Sequence, residues 1–405
     1  MQNVYECCCG IDVHKKLIVA CLRNGKKAEL RKFDTLTRSI KELANWLLEN
    51  NCQMVAMEST GAYWKPIYNI LELLNLDVIV VNAHHMKTVP GRKTDVKDAE
   101  WIADLLKHGL LKASFIPNRE QRELREIVRY RKSLIEERSR ELNRLEKTLE
   151  GANIKLSSFV SDLHGVSSRK LIEQSLVGEI NQENIGDLIH ASMKSKKSDL
   201  ILAMDGVVSP IQKHLIKAIL DHIDDMTRRI KDLDDIINDH MKGYDDAIKK
   251  IDELSGIGKR SAEVIVSEIG IDMSRFPSDA HLSSWSGLCP GNNESAGKRK
   301  SGKTNKGSKH LKSILVQCAK SAQKDKDSFF HAQYQRIVVR RGANRATVAV
   351  AHSMLIAIYH ILKDNIPFKD LGSNYYTKFN VGAKAKYYIR KLQELGVSIP
   401  VSSTI

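Results

Sequence analysis

Four acidic side chains stand where a site for divalent metal ions would need them. Asp12 and Glu58 each end a short apolar segment, and Asp95 and Asp98 lie three residues apart at the start of a helical pattern. An acid in an apolar strand is costly to bury unless a partner such as a divalent cation neutralises it. Residues three apart on a helix share one face. Carboxylates that converge from two strand ends and one helix can hold two Mg²⁺ ions, or Mn²⁺ in their place, for in-line attack on a phosphodiester.

Each acid taken alone also has a structural interpretation. Asp95 and Asp98 could complement a helix dipole, Asp12 could be a turn residue, and Glu58 could cap the next helix. The occurrence of all four on one order of strands and helices favours the metal site. Mg²⁺ prefers oxygen ligands, so three nearby histidines are assigned structural or phosphate-facing roles. They are His14, His84 and His85.

The elements that must position these acids alternate between strands and helices. Short apolar segments predict five strands, at residues 7–13, 17–22, 28–33, 54–57 and 77–81, and the dipeptide Asn24-Gly25 predicts a tight turn after the second. Amphipathic patterns predict helices near residues 38–49 and 63–74. Three antiparallel strands followed by alternating helices and strands predict an α/β domain with a mixed sheet.

Two long helical patterns follow this domain. From residue 124 to 149 mostly apolar residues recur at spacings of four and three, with Arg131 and Arg138 as interruptions, and a second such series runs from Ile216 to Ile237. Both series indicate coiled-coil packing, either within one chain or across a dimer, and a helical bundle is the alternative. Residues 151–205 are predicted to be helical and carry no motif that we can interpret.

A glycine turn in the C-terminal region is typical of nucleic-acid binding. The sequence Leu-Ser-Gly-Ile-Gly-Lys-Arg-Ser-Ala at residues 254–262 predicts a helix-hairpin-helix. In that motif a glycine turn and a helix N-terminus contact DNA phosphates without reading the sequence. The expected contacts are Gly256, Gly258, Lys259 and Arg260.

The segment of residues 290–312 holds seven Lys or Arg residues and one acid, Glu294, with four glycines. A solvated basic loop would account for this charge, whereas a glycine-rich basic loop can also wrap phosphates around a nucleophile. In the second interpretation the phosphate contacts are Lys298, Arg299, Lys300, Lys303, Lys306 and Lys309.

Composition sets the outer limits of the function. A chain of 405 residues predicts two or three domains, and the excess of Lys and Arg over Asp and Glu, 64 − 49 = +15, predicts a polyanionic partner. Hydrophobic residues make up 42%, which excludes wholesale disorder. No apolar run reaches the length of a membrane span and no signal-peptide pattern is present, so we expect a cytoplasmic protein without a membrane partner. Seven cysteines without a CxxC pair indicate reduced thiols.

Three segments around the acids resemble one protein family. Gly-Ile-Asp-Val-His-Lys at 10–15, Glu-Ser-Thr-Gly at 58–61 and Lys-Thr-Asp-Val-Lys-Asp-Ala at 93–99 are similar to the Asp-Glu-Asp-Asp site of the DEDD transposases of bacterial insertion sequences, relatives of the Piv-type DNA invertases. Residues 285–298 resemble the serine-bearing domain of the same family. The resemblance implies a RuvC-like N-terminal domain with a ribonuclease H fold and a mostly helical C-terminal transposase domain.

The resemblance also implies a mechanism. Asp12, Glu58, Asp95 and Asp98 would bind Mg²⁺, and Ser295 would form a covalent link to DNA, with Ser301 as the alternative nucleophile. The protein would excise and insert its own element, guided by a bridge RNA that the element encodes. The two halves of the active site would come from different protomers of a homodimer or homotetramer, which would join the bacterial nucleoid when acting. The alternatives are a metal-only nuclease or junction resolvase and a non-catalytic nucleic-acid-binding scaffold.

The chain is therefore expected to divide into four regions. These are a catalytic domain at 1–115, a helical or coiled-coil region at 116–245, a transposase domain at 246–370 and a basic, aromatic tail at 371–405.

Overall fold

The computed structural model describes residues 3–59, 61–82, 98–291, 293–295, 298–378 and 381–396. The chain divides into two compact units, residues 1–119 and 120–405. The finer division into four regions stays a prediction.

The first unit is built on a mixed five-stranded sheet, as the sequence predicts. Its strands are β1 (Cys7–Val13), β2 (Ile18–Asn24), β3 (Lys27–Phe33), β4 (Met54–Glu58) and β5 (Val78–Val81). Their order is β3-β2-β1-β4-β5, with β1, β2 and β3 antiparallel and β1, β4 and β5 parallel. Asn24 pairs with Lys27, so the tight turn consists of Gly25 and Lys26, one residue later than predicted. Gly25 has a φ of 56°, a conformation that glycine adopts without steric cost.

Helices cover both faces of this sheet, which explains why β1 is apolar almost throughout. Helices α1 (Thr37–Glu49) and α2 (Trp64–Leu73) share a core with Cys7, Cys9 and Ile11 of β1. Helix α3 (Asp98–Lys107) packs with Cys8 on the other side. Because successive strand residues face opposite sides, Gly10 and Asp12 belong to the face that α3 covers.

The second unit begins with a pair of long helices. Helix α4 (Arg119–Gly151) is followed by α5 (Val166–Val177), α6 (Ile185–Leu188), α7 (Lys197–Met204) and α8 (Pro210–Met241), and by 3₁₀ turns at Leu156–Ser158, Ala191–Lys196 and Lys242–Tyr244. Arg131 of α4 pairs with Asp234 of α8, and Arg138 donates to Thr227, so the two helices run antiparallel within one chain. The intervening helices share their core.

The rest of the second unit is mostly helical. Its helices are α9 (Asp245–Asp252), α10 (Lys259–Ile269), α11 (Asp279–Ser286), α12 (Lys309–Ala322), α13 (Phe329–Arg341), α14 (Ala343–Asp364), α15 (Tyr375–Lys378) and α16 (Val381–Glu394), with a 3₁₀ turn at Met273–Arg275. Two short strands, β6 (Asn293–Ser295) and β7 (Lys298–Ser301), form an antiparallel pair.

Within the described ranges, α14 alone is long and apolar enough to cross a membrane by length and composition. Half of its most apolar stretch is buried inside the protein, and Tyr359 donates a hydrogen bond from this helix to the carbonyl of Phe276 at 3.3 Å. These contacts are those of the core helix of a folded domain.

Candidate active site

Asp12 and Glu58 leave the sheet at the same edge. Strands β1 and β4 are parallel neighbours, and Ile11 pairs with Met57. The next residue of each strand is one of the two acids, so both acids lie near the carboxyl ends of adjacent parallel strands. Asp12 is partly buried, with 13% of its side chain exposed.

Helix α3 reaches this edge because a glycine lets it approach β1 closely. A Cβ atom at Gly10 would lie 2.3 Å from the backbone N of Ala103 and 2.3 Å from the carbonyl O of Ala99. The thiol of Cys8 lies 3.7 Å from the carbonyl O of Ala103 on the same face. Small residues on strand and helix therefore bring the N-terminal residue of α3, Asp98, to the sheet edge.

The charges at this edge influence one another. Burial raises the pKa of Asp12, and the negative charges of Asp98 and Glu58 raise it further. His14 opposes this effect, with its Nε2 3.0 Å from a carboxylate oxygen of Asp12. The charges of Asp98 and Glu58 therefore each disfavour the ionised form of Asp12, an effect that a bound cation would reduce.

The fourth predicted ligand, Asp95, lies outside the described residues. The same holds for His84 and His85, which were assigned structural or phosphate-facing roles. In the part of the chain that the structure describes, no three His, Cys, Asp or Glu side chains lie close enough together to hold a metal ion. Asp12, Glu58 and Asp98 offer carboxylate oxygens, which are the ligands that Mg²⁺ prefers.

Ser295 lies on β6, in a β-hairpin within the basic segment. Ser295 pairs with Lys298 and Glu294 with Arg299, so two residues connect the strands. Pro290 and Thr304 extend the pairing. The basic segment of residues 290–312, predicted as a loop, therefore contains two short paired strands. The alternative nucleophile, Ser301, ends β7 and accepts a hydrogen bond from the backbone N of Lys303 at 3.2 Å.

The base of this hairpin is held by close backbone contacts. A Cβ atom at Gly307 would lie 2.3 Å from the backbone N of Gly287. The side chain of Lys312 donates to the carbonyl of Gly287 at 3.0 Å and also to Thr304. Glycine at positions 287 and 307 thus allows the two chain segments at the base of the hairpin to lie in close contact.

A buried ionic network, which sequence reasoning missed, lies beside the hairpin base. Glu268 of α10 is 1% exposed and accepts two hydrogen bonds from Arg129 of α4, at 2.7 and 2.8 Å. Ser308 also donates to Glu268 at 3.3 Å, and the backbone N of Ser308 donates to the carbonyl of Trp285. Burial alone would raise the pKa of Glu268, but hydrogen bonding and charge from Arg129, together with Arg125, lower it.

The glycine turn at residues 253–258 joins two helices, α9 and α10, that pack against each other. Gly256 has a φ of 86°, and a Cβ atom there would lie 2.4 Å from the backbone N of Ala322. Arg260 lies 3.2 Å from Asp234 and 3.1 Å from Glu263, whereas Gly258 and Lys259 are exposed. The assignment of this turn as a DNA-binding helix-hairpin-helix stays a prediction.

Two comparisons with protein-family models cover both candidate regions. Residues 9–154 match the transposase model DEDD_Tnp_IS110, and residues 248–335 match the model described as "Transposase IS116/IS110/IS902 family". The chain belongs to the IS110-type DEDD transposases. A curated relative from Pseudomonas aeruginosa, named "Probable family 20 transposase", is 23% identical over 359 residues, covering 87% of this chain and 92% of the relative.

The family confirms the resemblance seen in the sequence and identifies the protein as a DNA transposase. The first matched range contains Asp12, Glu58 and Asp98, and the second contains the hairpin with Ser295. A transposase binds DNA and transfers its strands, which agrees with the predicted polyanionic partner.

Proposed function

We propose that this transposase excises and inserts its own element by metal-dependent strand cleavage and exchange through a serine–DNA intermediate. The observation that carries the proposal is that Asp12 and Glu58 follow paired residues of adjacent parallel strands, and that the charges of Glu58 and Asp98 raise the pKa of Asp12. Asp95, three residues before Asp98 in the sequence, is the proposed fourth ligand.

Mg²⁺ held by these carboxylates would polarise the scissile phosphate and neutralise charge that develops on its oxygens. The residues themselves determine where that ion can bind. Asp12 and Glu58 extend from adjacent strand ends, and Asp98 approaches from the helix that packs on Gly10. His14, paired with Asp12, orients that carboxylate.

In the proposed covalent step the Oγ of Ser295 attacks the phosphorus of the scissile phosphodiester. A bond from Oγ to phosphorus forms, and the bond from phosphorus to the leaving deoxyribose oxygen breaks. The serine proton is lost, and the leaving oxygen takes up a proton to become a hydroxyl. An incoming strand hydroxyl reverses this exchange and restores the serine. Lys298, which pairs with Ser295 across the hairpin, and Arg299 supply positive charge for the pentavalent phosphate.

Target choice in this proposal is made by a bridge RNA that the element encodes, and the protein acts as a homodimer or homotetramer. The basic hairpin segment supports a nucleic-acid interface with Lys300, Lys303, Lys306 and Lys309 as additional phosphate contacts. Sequencing of RNA that copurifies with the protein tests guidance, because RNA unrelated to the element would contradict it.

The covalent step is tested on a denaturing gel with labelled element-end DNA. Ser295→Ala should abolish the protein–DNA adduct, whereas the matched control Ser301→Ala, in the same hairpin, should retain it. An adduct that persists in Ser295→Ala and disappears in Ser301→Ala would transfer the role to Ser301. DNA cleavage by the wild-type protein without any adduct would instead indicate a metal-only nuclease.

The acidic site is tested by Asp12→Asn. We expect loss of Mg²⁺-dependent cleavage with an unchanged melting temperature, because the substitution removes a charge from a group of repelling carboxylates and keeps its shape. Cleavage at the wild-type rate would eliminate the proposed metal site. DNA binding with no Mg²⁺-dependent activity in the wild-type protein would indicate a non-catalytic scaffold.

A further inference from the structure

Three arginines gather where α13 meets α14. Arg340 and Arg341 are the last two residues of α13, and Arg345 is in the first turn of α14, after the single connecting residue Gly342. All three are exposed. We call Arg340, Arg341 and Arg345 the arginine corner.

Among the residues that the structure describes, no acid forms an ion pair with the arginine corner. The sequence contains no Asp or Glu from residue 328 to 363. Among the described residues, none forms an ion pair or side-chain hydrogen bond with these three arginines, whereas Arg169 and Arg228 on other helices each contact two carboxylates. Exposed arginines that lack acidic neighbours concentrate positive potential at one place.

The position of Arg345 increases this potential. Helix α14 begins after Gly342 with no side-chain cap, so its first backbone N–H groups add partial positive charge to the corner. An acid would stabilise that helix end, but the chain has Arg345 in its first turn. A cation there is unfavourable for the isolated helix and becomes favourable when an anion lies against it.

We propose that the arginine corner binds the phosphate backbone of duplex DNA at a site separate from the hairpin segment at residues 290–312. Residues 336–345 include no aromatic side chain that could stack on an unpaired base, which favours a duplex over a single strand. The corner lies outside both ranges that match the family models, 9–154 and 248–335. The inference rests on the proposed function, since it assumes that the substrate is DNA.

The test is the salt dependence of duplex binding by the full-length protein. Each phosphate contact adds about 0.9 to the slope of log K against log salt, so replacement of all three arginines by alanine should reduce the slope by about 2 to 3. Counterion release alone makes each contact worth roughly eightfold in affinity at about 0.1 M salt. We expect the loss to be equal for element-end and unrelated duplexes of the same length.

The matched control removes three cations that already have acidic partners. Lys217, Arg228 and Lys242 lie 3.2, 2.6 and 2.8 Å from Asp221, Asp225 and Asp239, respectively. Their triple alanine variant has the same net charge as the arginine variant and should keep the wild-type slope. A triple Arg→Lys variant of the corner should also retain most of the slope.

A single charge reversal separates binding from folding. Arg345→Glu places an acid at the uncapped N-terminus of α14, so its melting temperature should not fall, whereas its affinity for duplex DNA should. If the triple alanine variant of the arginine corner kept the wild-type affinity and slope, this inference would be overturned and the proposed function would stand. A loss confined to an RNA hairpin, or to anionic phospholipid vesicles, would also overturn it. Failure of the wild-type protein to bind any duplex would overturn the proposed function as well.

Discussion

Substitution of Gly10 by alanine should disable the acidic site without altering any acid. The added Cβ would lie 2.3 Å from two backbone atoms of α3, the N of Ala103 and the O of Ala99, and 2.9 Å from the Cα of Ala103. Backbone atoms cannot rotate away as the end of a flexible side chain can. Relief therefore requires the whole helix to move.

The size of that movement follows from the contact distances. Ordinary carbon contacts begin near 3.4 Å, so α3 must retreat by about 3.4 − 2.3 = 1.1 Å from β1. Overpacking of this kind typically costs about 1 to 3 kcal/mol of unfolding free energy. Asp98 is the first residue of α3, and a displacement of about 1 Å at a catalytic group can lower a rate by roughly 100-fold.

Two measurements on Gly10→Ala examine this reasoning. Urea unfolding gives the change in stability, and single-turnover cleavage of element-end DNA in Mg²⁺ gives the rate. Gly243→Ala is the matched control, because a Cβ atom at Gly243 has nothing within 4 Å. Wild-type stability in Gly10→Ala would refute the close packing of α3. A destabilised variant with the wild-type rate would refute the link between this packing and the position of Asp98.

Two further predictions concern the second unit. Glu268→Gln should lower the free energy of unfolding by about 3 kcal/mol. This value is at the lower end of the range for a broken buried ion pair, because the side chain of Arg129 is 35% exposed. The pKa of Glu268 is lowered on folding, so its stabilisation is present above the ordinary pKa of 4.5 and disappears as the pH falls below it. Urea unfolding of both proteins should show this difference shrinking at acidic pH, and a constant difference would contradict the assignment. Alanine variants of Arg131 and Asp234, singly and together, should give a coupling energy of about 1 to 2 kcal/mol, and additive effects would show that the pair does not join α4 to α8.

The sheet of the first unit could be predicted from the sequence because its strands are short, apolar and separated by clear turn residues. Because β1 is buried on both faces, Cys7–Val13 is apolar apart from Asp12, which makes that acid easy to recognise. The predicted position of the turn after β2 was wrong by one residue, because both Asn24 and Gly25 tolerate positive φ. Only the pairing of Asn24 with Lys27 shows that the turn begins at Gly25.

Periodicity identified the two long helices but could not identify their partner. The two arginines that interrupt the first series show that the long helices pack against each other. Arg131 contacts Asp234 and Arg138 contacts Thr227 of the same chain. An ion pair between residues 131 and 234 has no local signal in the sequence. The same holds for Glu268 and Arg129, which stand 139 residues apart.

The hairpin at Ser295 could not be predicted from the sequence because its second strand is highly charged. Strands are usually read from alternating apolar residues, and β7 consists of Lys298, Arg299, Lys300 and Ser301. Its pairing with β6, and the close contacts of Gly287 and Gly307 at the base, therefore have no such signal in the sequence.

In the acidic site, the acids can be recognised from the sequence, whereas the packing that positions them cannot. The acids indicate which chemistry the site can perform. The distance between Asp98 and the strand acids depends on small residues, because Gly10, Ala99 and Ala103 determine how closely α3 can approach β1. Neutralising Asp12 should therefore remove the chemistry and leave the helix in place, whereas a single methyl group at Gly10 should leave every acid present and move the helix. If both substitutions had the same effect on stability and rate, the acids themselves would be holding α3, and packing would not set the geometry of the site.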